Sequence, residues 1–506
     1  MEYNLVTGVW EITMNCNMNC EHCGSSCKGP LPDELTTEEA LSLCDDLGQL
    51  DVEWITISGG EPLLRKDWHI IAQGLRKNDI IPNMITSGWS LSEEEIGKAV
   101  DAGINTLAIS LDGLEKTHDM IRKEGSYKRI IRSLDLLKDS EIHPGIITTI
   151  SKWNIDQLQD IKEILVEKEV NTWQLQFALP MGNFSEKREW LIEPGALKSI
   201  VDFAYDVYEN TDIKVVLSDC FGYCHEKTKE MKSFEWQGCF AGKQNIGILQ
   251  NGDIVPCTSI RDKSFIEGNI RERSIIEIWE DPESFAWNRD LEKYELNGLC
   301  SKCYYGNQCL GGCSNTRLTI ENDVYGENKY CLYNYSMKCA EEKINRVTNV
   351  SELKKKGRIL AEVDDFQLAE LVIKRALEFE PEDIELLNLY GYINYELGNY
   401  YQAEEINKKV LEKEPDNIYA LSGLGVTLYA LDEKEKGLNK LSKAVELTDE
   451  SFLKPYYDLA IILIREEDFG RAEEVIKEGI DLKEDFQNKF HDLPEEIKDE
   501  INLSCF

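Results

Sequence analysis

Apolar and polar residues alternate along residues 7 to about 215 in a way that predicts short strands separated by amphipathic helices. The helices include Thr37–Leu47, Ser92–Ala102 and Tyr127–Asp139. Strands that alternate with helices imply a parallel sheet, and six such units predict an open, partial barrel. The strand candidates are Gly8–Thr13, Trp54–Ser58, Pro82–Thr86, Thr106–Leu111, Gly145–Ser151 and Thr172–Leu179.

Residues from about 220 to 340 follow a different pattern, rich in Cys and Gly. One hairpin is clear, because the apolar strand Asn245–Leu249 leads to Asn251-Gly252 and Asp253–Val255 returns. Asn-Gly favours the positive φ angles of a type I′ turn, so we expect that turn here.

The chain from about residue 350 onward has a helical pattern that repeats every 34 residues or so. Small residues at a fixed phase let two helices pack closely, and Pro381 and Pro415 close two of the units. About three and a half units resemble tetratricopeptide (TPR) repeats, with Leu493–Leu503 as a capping helix and Ser336–Lys356 as the preceding linker. The small positions are Gly357, Gly391, Gly425 and Ala460, then Ala369, Ala403, Gly437 and Ala472, with Ala376 and Ala444 as a third set.

The 506 residues carry a formal net charge of −38. This acidic balance argues against binding to nucleic acid or anionic membranes, which need a basic surface. The chain lacks both the ~18-residue apolar stretch of a transmembrane helix and the basic, then apolar start of a signal peptide. We therefore expect a cytoplasmic protein whose 16 cysteines serve metal binding rather than disulfides, with Cys27, Cys44, Cys339 and Cys505 as plain packed cysteines.

The strongest chemical motif is Cys16-x3-Cys20-x2-Cys23, directly after the first strand. Three thiolates on one loop can hold three irons of a [4Fe–4S] cluster and leave the fourth open to chelate S-adenosylmethionine (SAM). A zinc loop or an ordinary ferredoxin cluster is the alternative, since Cys27 or His22 could supply a fourth ligand.

A second motif, Ser58-Gly59-Gly60-Glu61-Pro62, follows the second strand. Its glycines allow close approach of the backbone, and Glu61 can accept hydrogen bonds from an ammonium group. Together with the cysteine loop, it makes residues 7–215 resemble the radical SAM superfamily, whose barrel is of the partial (β/α)6, TIM-like kind.

This resemblance implies that the three cysteines bind the catalytic cluster and that Gly-Gly-Glu-Pro binds the amino group of SAM. Further matches lie at the carboxyl ends of later strands, where sites occur in such barrels. Arg122 resembles the arginine that pairs with the SAM carboxylate, although a solvated helix arginine is the plain alternative. The implied SAM-binding residues are Gly59, Gly60, Glu61, Pro62, Ser87, Ser110 (near the ribose), Asp112 (bracing its loop) and Arg122, with Pro180-Met181-Gly182 near the adenine.

The later cysteines, with Gly252 and Gly268-Asn269-Ile270, resemble the SPASM domain of peptide-modifying radical SAM enzymes. Such cysteine density suits thiolate-bound [4Fe–4S] clusters, and one or two structural zincs are the alternative. The resemblance implies two auxiliary clusters, hence three clusters in all. The ligands would be Cys239, Cys257 and Cys313 for the first, and Cys300, Cys303, Cys309 and Cys331 for the second.

The first auxiliary set shows three ligands, and several readings of the fourth stay open. Cys220 or Cys224 could complete the set, or an open iron could bind a substrate thiol. Either cysteine could instead donate a hydrogen atom to a peptide radical, or simply pack as a small apolar residue.

The implied function is oxidoreductase-like: a 5′-deoxyadenosyl radical abstracts hydrogen from a ribosomally made peptide, which is then cross-linked through a thioether or carbon–carbon bond, or epimerised. Alternatives are action on a folded protein or a small molecule, and an electron-transfer or scaffold role without SAM. Thr258 stands where sulfatase maturases carry an aspartate, which disfavours that branch.

We predict three domains: residues 1–218 as the radical SAM partial barrel, 219–345 as the SPASM domain and 350–506 as the TPR repeats. Since the chain begins at the first strand, we expect no separate leader-binding domain before the barrel. The TPR tail could bind the leader of the precursor peptide instead, or serve oligomerisation or partner docking. A reducing partner such as flavodoxin or ferredoxin is also expected.

Overall fold

The computed structural model describes residues 3–221, 226–231, 237–491 and 493–501. The chain divides into two compact units, Met1–Ser336 and Met337–Phe506. The first unit contains the predicted barrel together with the predicted cysteine-rich region. The boundary between those two domains, near residue 218, stays a prediction.

The first unit is built on one ten-stranded sheet, in the order β10-β9-β8-β1-β2-β3-β4-β5-β6-β7. Strands β1 to β7 run parallel, which confirms the predicted α/β partial barrel. The strands are β1 Thr7–Glu11, β2 Trp54–Ser58, β3 Ile81–Thr86, β4 Thr106–Ser110, β5 His143–Ile150, β6 Thr172–Phe177, β7 Lys214–Leu217, β8 Asn245–Ile248, β9 Asp253–Val255 and β10 Gly268–Asn269.

Helices connect the parallel strands, and their starts follow from capping residues. Helix α1 begins after Thr36, whose hydroxyl accepts the Glu39 N–H while the Glu39 side chain accepts the Thr36 N–H. The helices of this unit are α1 Thr37–Gln49, α2 Trp68–Lys77, α3 Glu93–Asp101, α4 Glu115–Ile121, α5 Ser126–Lys138, α6 Leu158–Glu167, α7 Ala196–Asn210, α8 Glu226–Glu230, α9 Ile275–Glu280, α10 Ala286–Arg289, α11 Gly306–Cys309, α12 Ser314–Glu321 and α13 Leu332–Ile344.

Three features of the sheet differ from the sequence prediction. A seventh parallel strand, β7, extends the six predicted ones, and β8 pairs in parallel with β1. The β8–β9 turn is also different, because Gly252 has a positive φ of +87° whereas Asn251 does not. A three-residue loop closed by a left-handed glycine therefore replaces the expected type I′ turn.

The second unit consists of helices in successive pairs. The first helices of three consecutive pairs start at Val350, Ile384 and Ile418, 34 residues apart as predicted. The small residues lie where paired helices approach, since a Cβ on Gly425 would come within 2.6 Å of Leu441. The helices are α14 Val350–Glu362, α15 Phe366–Phe379, α16 Ile384–Glu396, α17 Tyr400–Lys413, α18 Ile418–Ala430, α19 Lys434–Leu447, α20 Lys454–Arg465, α21 Phe469–Leu482 and α22 Glu495–Glu500.

The segment Ser336–Lys356, predicted as a linker, is mostly helical, because α13 runs to Ile344 and α14 begins at Val350. The capping helix predicted at Leu493–Leu503 is observed as α22, and residues 502–506 lie outside the described part. No helix in the described residues combines the length and apolar character needed to cross a membrane.

Candidate functional site

The cysteine loop after β1 packs directly on the turn after β2. The Gly60 N–H donates to the Thr13 carbonyl and the Glu61 N–H donates to the Asn15 carbonyl, both at 2.8 Å. A Cβ on Gly59 would lie 2.3 Å from the Thr13 oxygen, and one on Gly60 would lie 2.4 Å from the Asn15 oxygen. The two glycines therefore make room for the backbone that carries the cysteines.

The three thiols of this loop lie together beside Glu61. Burial, together with the negative charges of Glu61, Cys20 and Cys23, raises the pKa of Cys16 to about 11. A hydrogen bond from the Cys27 thiol lowers the pKa of Cys23 to about 5 despite burial. Because the thiolate is the form that binds metal, the loop offers three clustered sulfur ligands.

Glu61 and Ser87 meet at the carboxyl ends of neighbouring strands. The fully buried Glu61 carboxylate accepts hydrogen bonds from the Thr86 hydroxyl at 2.7 Å, from the Ser87 N–H at 2.9 Å and from the Ser87 hydroxyl. The turn after β2 is thus held against the end of β3.

Asp112 follows β4 and is fully buried. Its carboxylate contacts His22 Nε2 at 2.8 Å, accepts the Thr149 N–H at 2.8 Å and pairs with Arg122. Burial opposes ionisation of Asp112, but the charges of Arg122 and His22 outweigh it, so its pKa lies well below its usual range. Arg122 also reaches the Cys20 sulfur at 3.8 Å, which joins this ion pair to the cysteine loop.

Ser110 is the last residue of β4, two positions before Asp112, and it is buried. Pro62 directly follows Glu61 and starts a short 3-10 turn. Most of the residues assigned to SAM on the basis of resemblance therefore lie at the carboxyl ends of β2, β3 and β4 or just beyond. Arg122 lies at the end of α4, and Pro180-Met181-Gly182 follows β6.

Four other cysteines line one cavity of about 1750 Å³ in the first unit: Cys220, Cys239, Cys257 and Cys313. Burial raises the pKa of Cys313, and the charges of Cys239 and Cys220 add to this effect. Cys220 Sγ also lies 2.9 Å from the Ser218 hydroxyl. The cavity thus joins Cys220 to the first auxiliary set, whereas Cys224 lies outside the described residues.

The same cavity is lined by side chains from the barrel and from the cysteine loop after β1. Gln176 Nε2 donates to the Thr149 hydroxyl at 3.0 Å, and Gln174 lies beside it on β6. His22 and Ser25 of the cysteine loop complete this wall. The cavity therefore connects the loop after β1 with the later cysteines.

The second auxiliary set, Cys300, Cys303, Cys309 and Cys331, also gathers in space. Burial raises the pKa of Cys331 to about 12, and the charges of the other three thiols add to it. Cys300 accepts hydrogen bonds from the Asn328 N–H and the Asn334 amide, both at 3.4 Å. In the described part of the chain, no three His, Cys, Asp or Glu side chains converge closely enough to hold a single metal ion.

An ion pair between a buried carboxylate and a partly exposed arginine joins the barrel to the cysteine-rich region, and the sequence did not predict it. Arg261 donates to both carboxylate oxygens of Glu11 on β1, one of them at 2.8 Å, and to the Ser25 hydroxyl. Glu11 is only 4% exposed. No local sequence pattern predicts this pair, because Glu11 and Arg261 are separated by 250 residues.

Two family models match the chain in the regions just described. Residues 10–165 match the Radical SAM superfamily, and residues 239–304 match SPASM, an iron-sulfur cluster-binding domain. The chain carries a radical SAM domain followed by a SPASM domain.

Curated relatives share this pair of regions. The AdoMet-dependent heme synthase of Methanosarcina barkeri (strain Fusaro / DSM 804) is 29% identical over 340 residues, covering 64% of this chain and 95% of that protein. Mycofactocin maturase MftC of Mycobacterium ulcerans (strain Agy99) is 25% identical over 329 residues, covering 64% of this chain and 87% of that protein.

A solved structure, Streptococcus suis SuiB bound to precursor peptide SuiA, matches with a TM-score of 0.54 at 16% identity. The match covers 64% of this chain and 75% of SuiB. At this identity the likeness shows a shared fold.

The donor sets fit the cofactors that these domains use, which are SAM and [4Fe–4S] clusters. All the candidate ligands are thiols, the ligands that iron–sulfur clusters take, and they gather in three places. The three-thiol loop lies beside a buried carboxylate, Glu61, and a buried guanidinium, Arg122. These are the charges that complement the ammonium and carboxylate groups of SAM.

We expect Arg261→Met to lower the free energy of unfolding by about 3–5 kcal/mol, because it leaves the buried Glu11 carboxylate without its partner. Urea denaturation under reducing conditions, followed by circular dichroism, measures this loss. The double variant Glu11→Gln/Arg261→Met should recover much of the stability, since it buries no unpaired charge.

Arg271→Met is the matched control for this ion pair. Arg271 pairs with Glu39 near the surface, where such a pair contributes about 1 kcal/mol or less. Equal losses in the two arginine variants would contradict a special role for the buried pair.

Proposed function

We propose that this chain modifies a ribosomally made peptide after translation, by forming a thioether or carbon–carbon cross-link or by epimerising a residue. The observation that carries the proposal is the cavity of about 1750 Å³ that joins the catalytic cysteine loop to the later cysteines. Sites for small molecules usually span about 300–1,000 Å³. The larger volume leaves space for a length of peptide beside the cofactors.

The likeness to SuiB with its precursor peptide and to a mycofactocin maturase supports a peptide substrate. The polar wall formed by Thr149, Gln174 and Gln176 suits this substrate class, because amide and hydroxyl groups can pair with the N–H and C=O groups of a peptide backbone.

When bound, SAM and its cluster supply a 5′-deoxyadenosyl radical that can abstract hydrogen from carbon. The residues of this chain bind and orient the reactants. Glu61 offers a negative charge to the SAM ammonium, with Gly59, Gly60 and Pro62 shaping the turn around it. Arg122 offers its remaining N–H donors to the SAM carboxylate while Asp112 holds the guanidinium in place. Ser87 positions Glu61, and Ser110 lies on the ribose side.

Three [4Fe–4S] clusters are part of the proposal. Cys16, Cys20 and Cys23 hold the first of them. The second auxiliary cluster takes Cys300, Cys303, Cys309 and Cys331. For the first auxiliary cluster we propose Cys220 as the fourth ligand beside Cys239, Cys257 and Cys313, because all four sulfurs line one cavity.

A porphyrin substrate is the second candidate function. The observation that favours it is the similarity to an AdoMet-dependent heme synthase, of which the match covers 95%. Action on a folded protein and an electron-transfer role without SAM are further alternatives, and the electron-transfer role predicts no 5′-deoxyadenosine at all.

Anaerobic turnover of the reconstituted full chain separates these functions. We expect 5′-deoxyadenosine to form, and formation to rise when a candidate precursor peptide is added but not when an iron porphyrin is added. Mass spectrometry of the peptide in deuterated water then identifies the product: loss of hydrogens indicates a cross-link, and deuterium uptake alone indicates epimerisation.

Cys16→Ala is the control for SAM cleavage, since it removes one of the three sulfur ligands on the loop. Product that forms equally in this variant arises without the first cluster. Conversion of the porphyrin, with no change in any peptide, would replace the peptide proposal with the second candidate.

We expect Cys220→Ala to leave the first auxiliary cluster with an exposed iron. In a Cys16→Ala/Cys20→Ala/Cys23→Ala background, which contains only the auxiliary sites, mild oxidation should then remove that iron. Electron paramagnetic resonance would detect the resulting [3Fe–4S] signal. Cys44→Ala is the control, because Cys44 is buried with its thiol on the Ile71 carbonyl at 3.7 Å. Identical spectra from the two variants would rule out Cys220 as a ligand.

The helical unit is proposed to form TPR repeats that bind the leader of the precursor. The first helices of neighbouring pairs contact one another, α14 with α16, α16 with α18 and α18 with α20, as in solenoids that present a continuous groove. On these helices, burial raises the pKa of both Tyr392 and Tyr395 to about 12, with charges from Glu396 and Asp458 adding. Asp458 pairs with Lys454 at 3.2 Å, so the charge that this aromatic cluster offers to a basic leader segment is chiefly that of Glu396.

We expect removal of residues from 350 onward to abolish leader-dependent peptide binding while SAM cleavage persists. In the full chain, Glu396→Gln should weaken binding of a basic leader peptide by up to about 1 kcal/mol, about fivefold, because one negative charge is lost. Isothermal titration calorimetry measures the affinity. The exposed Glu435 of α19 provides the control Glu435→Gln. Unchanged peptide affinity after truncation would exclude this role.

A further inference from the structure

The side chain of Arg317 on α12 is fully buried. Its Nη2 donates to the Ser314 hydroxyl at 3.0 Å. Its Nε and Nη1 have no hydrogen-bond partner among the described residues, and no described carboxylate lies within ion-pair distance of it. Two strong donors and one positive charge are therefore buried without a protein counterpart in the described chain.

A buried and unpaired guanidinium is costly, because the charge loses its hydration and gains nothing in return. Burial accordingly lowers the pKa of Arg317 from its ordinary value. The groups that oppose this lowering are cysteines of both auxiliary sets. They are Cys239 and Cys313 of the first set, and Cys300 and Cys309 of the second.

The backbone beside Arg317 is also specialised. The three residues that separate Cys309 of the second set from Cys313 of the first all have positive φ, at 46° for Leu310, 75° for Gly311 and 68° for Gly312. A Cβ on Gly311 would lie 2.7 Å from Arg317 Nη1. Because a non-glycine residue is strained in the left-handed region, the backbone at Leu310 is strained, and the segment leaves space for the guanidinium.

We propose that Arg317 is a positioning residue shared by the two auxiliary clusters, whose buried charge and unpaired N–H donors stabilise the anionic sulfur ligands of both. Hydrogen bonds to cluster sulfurs and nearby positive charge make an iron–sulfur cluster easier to reduce. Arg317 thereby raises the reduction potentials of both auxiliary clusters together. This inference rests on the assignment of the later cysteines to two clusters under the proposed function.

The test compares Arg317→Met with Arg317→Lys in the full chain, in the Cys16→Ala/Cys20→Ala/Cys23→Ala background that contains only the auxiliary sites. Iron and sulfide analysis gives the cluster content. Redox titration followed by electron paramagnetic resonance gives the midpoint potentials. We expect Arg317→Met to lower the midpoint potentials of the auxiliary clusters. A tenfold shift of the reduction equilibrium toward the oxidised form, the smallest that we expect, corresponds to about 59 mV for a one-electron couple. Arg317→Lys should shift it less, because the charge is kept.

Arg273→Met is the matched control. Arg273 lies in the same region but is partly exposed and already paired with Asp281, so its removal should leave the potentials close to those of the parent. A comparable shift in this control would point to a general effect of net charge and overturn the inference.

Loss of iron in Arg317→Met that Arg317→Lys restores also supports the proposal, since charge is then what the clusters need. Full iron content with unchanged potentials in Arg317→Met overturns it, as does loss of iron in both variants. Absence of auxiliary iron from the parent protein is a different result, because it refutes the cluster assignment itself rather than the role of Arg317.

Discussion

The contact on which the site depends is the one between the loop after β1 and the turn after β2. Two backbone hydrogen bonds, from Gly60 to Thr13 and from Glu61 to Asn15, hold the cysteine loop against the turn. Their geometry leaves no space for a Cβ at Gly59 or Gly60. Because the loop is fixed in this way, its three thiols lie beside the Glu61 carboxylate and within reach of Arg122. Many proteins share a parallel α/β sheet, and in this chain the fixed loop adds to it a defined set of thiol, carboxylate and guanidinium groups.

Buried charges connect the parts of the first unit. Asp112 joins β4 to the cysteine loop through His22 and Arg122. Glu11 joins β1 to the cysteine-rich region through Arg261. If one member of a pair moved away, the other would be left as a buried, unpaired charge, which is costly. The pairs therefore favour one relative placement of β1, β4, the cysteine loop and the cysteine-rich region. Arg317 lacks such a partner among the described residues, and thiols of both auxiliary sets oppose the lowering of its pKa by burial.

The two candidate substrates, a peptide and a porphyrin, require different shapes and different hydrogen-bonding groups of the cavity. A peptide needs length and backbone hydrogen-bonding groups, whereas a porphyrin needs a flat, largely apolar slot. The cavity has polar side chains from β5 and β6 on one wall and thiols on another, and its volume of about 1750 Å³ is large. These properties favour the peptide, although the similarity to a heme synthase keeps the porphyrin as the competing substrate. Under the proposed function, a basic leader segment would bind at the aromatic cluster beside Glu396 on α16.

The sequence alone determined the order of strands and helices, the 34-residue helical period and the cysteine and glycine motifs, because each of these depends on residues near one another in the chain. It missed β7 and misplaced a linker on α13, where local pattern is weak, and it expected a type I′ turn where the loop closes on a single left-handed glycine. Only the tertiary structure brought Cys220 to Cys239 and Cys313, paired Glu11 with Arg261 and buried Arg317 between two cysteine sets. Such contacts join distant residues through packing and burial, and neither spacing nor periodicity encodes which buried charge meets which partner.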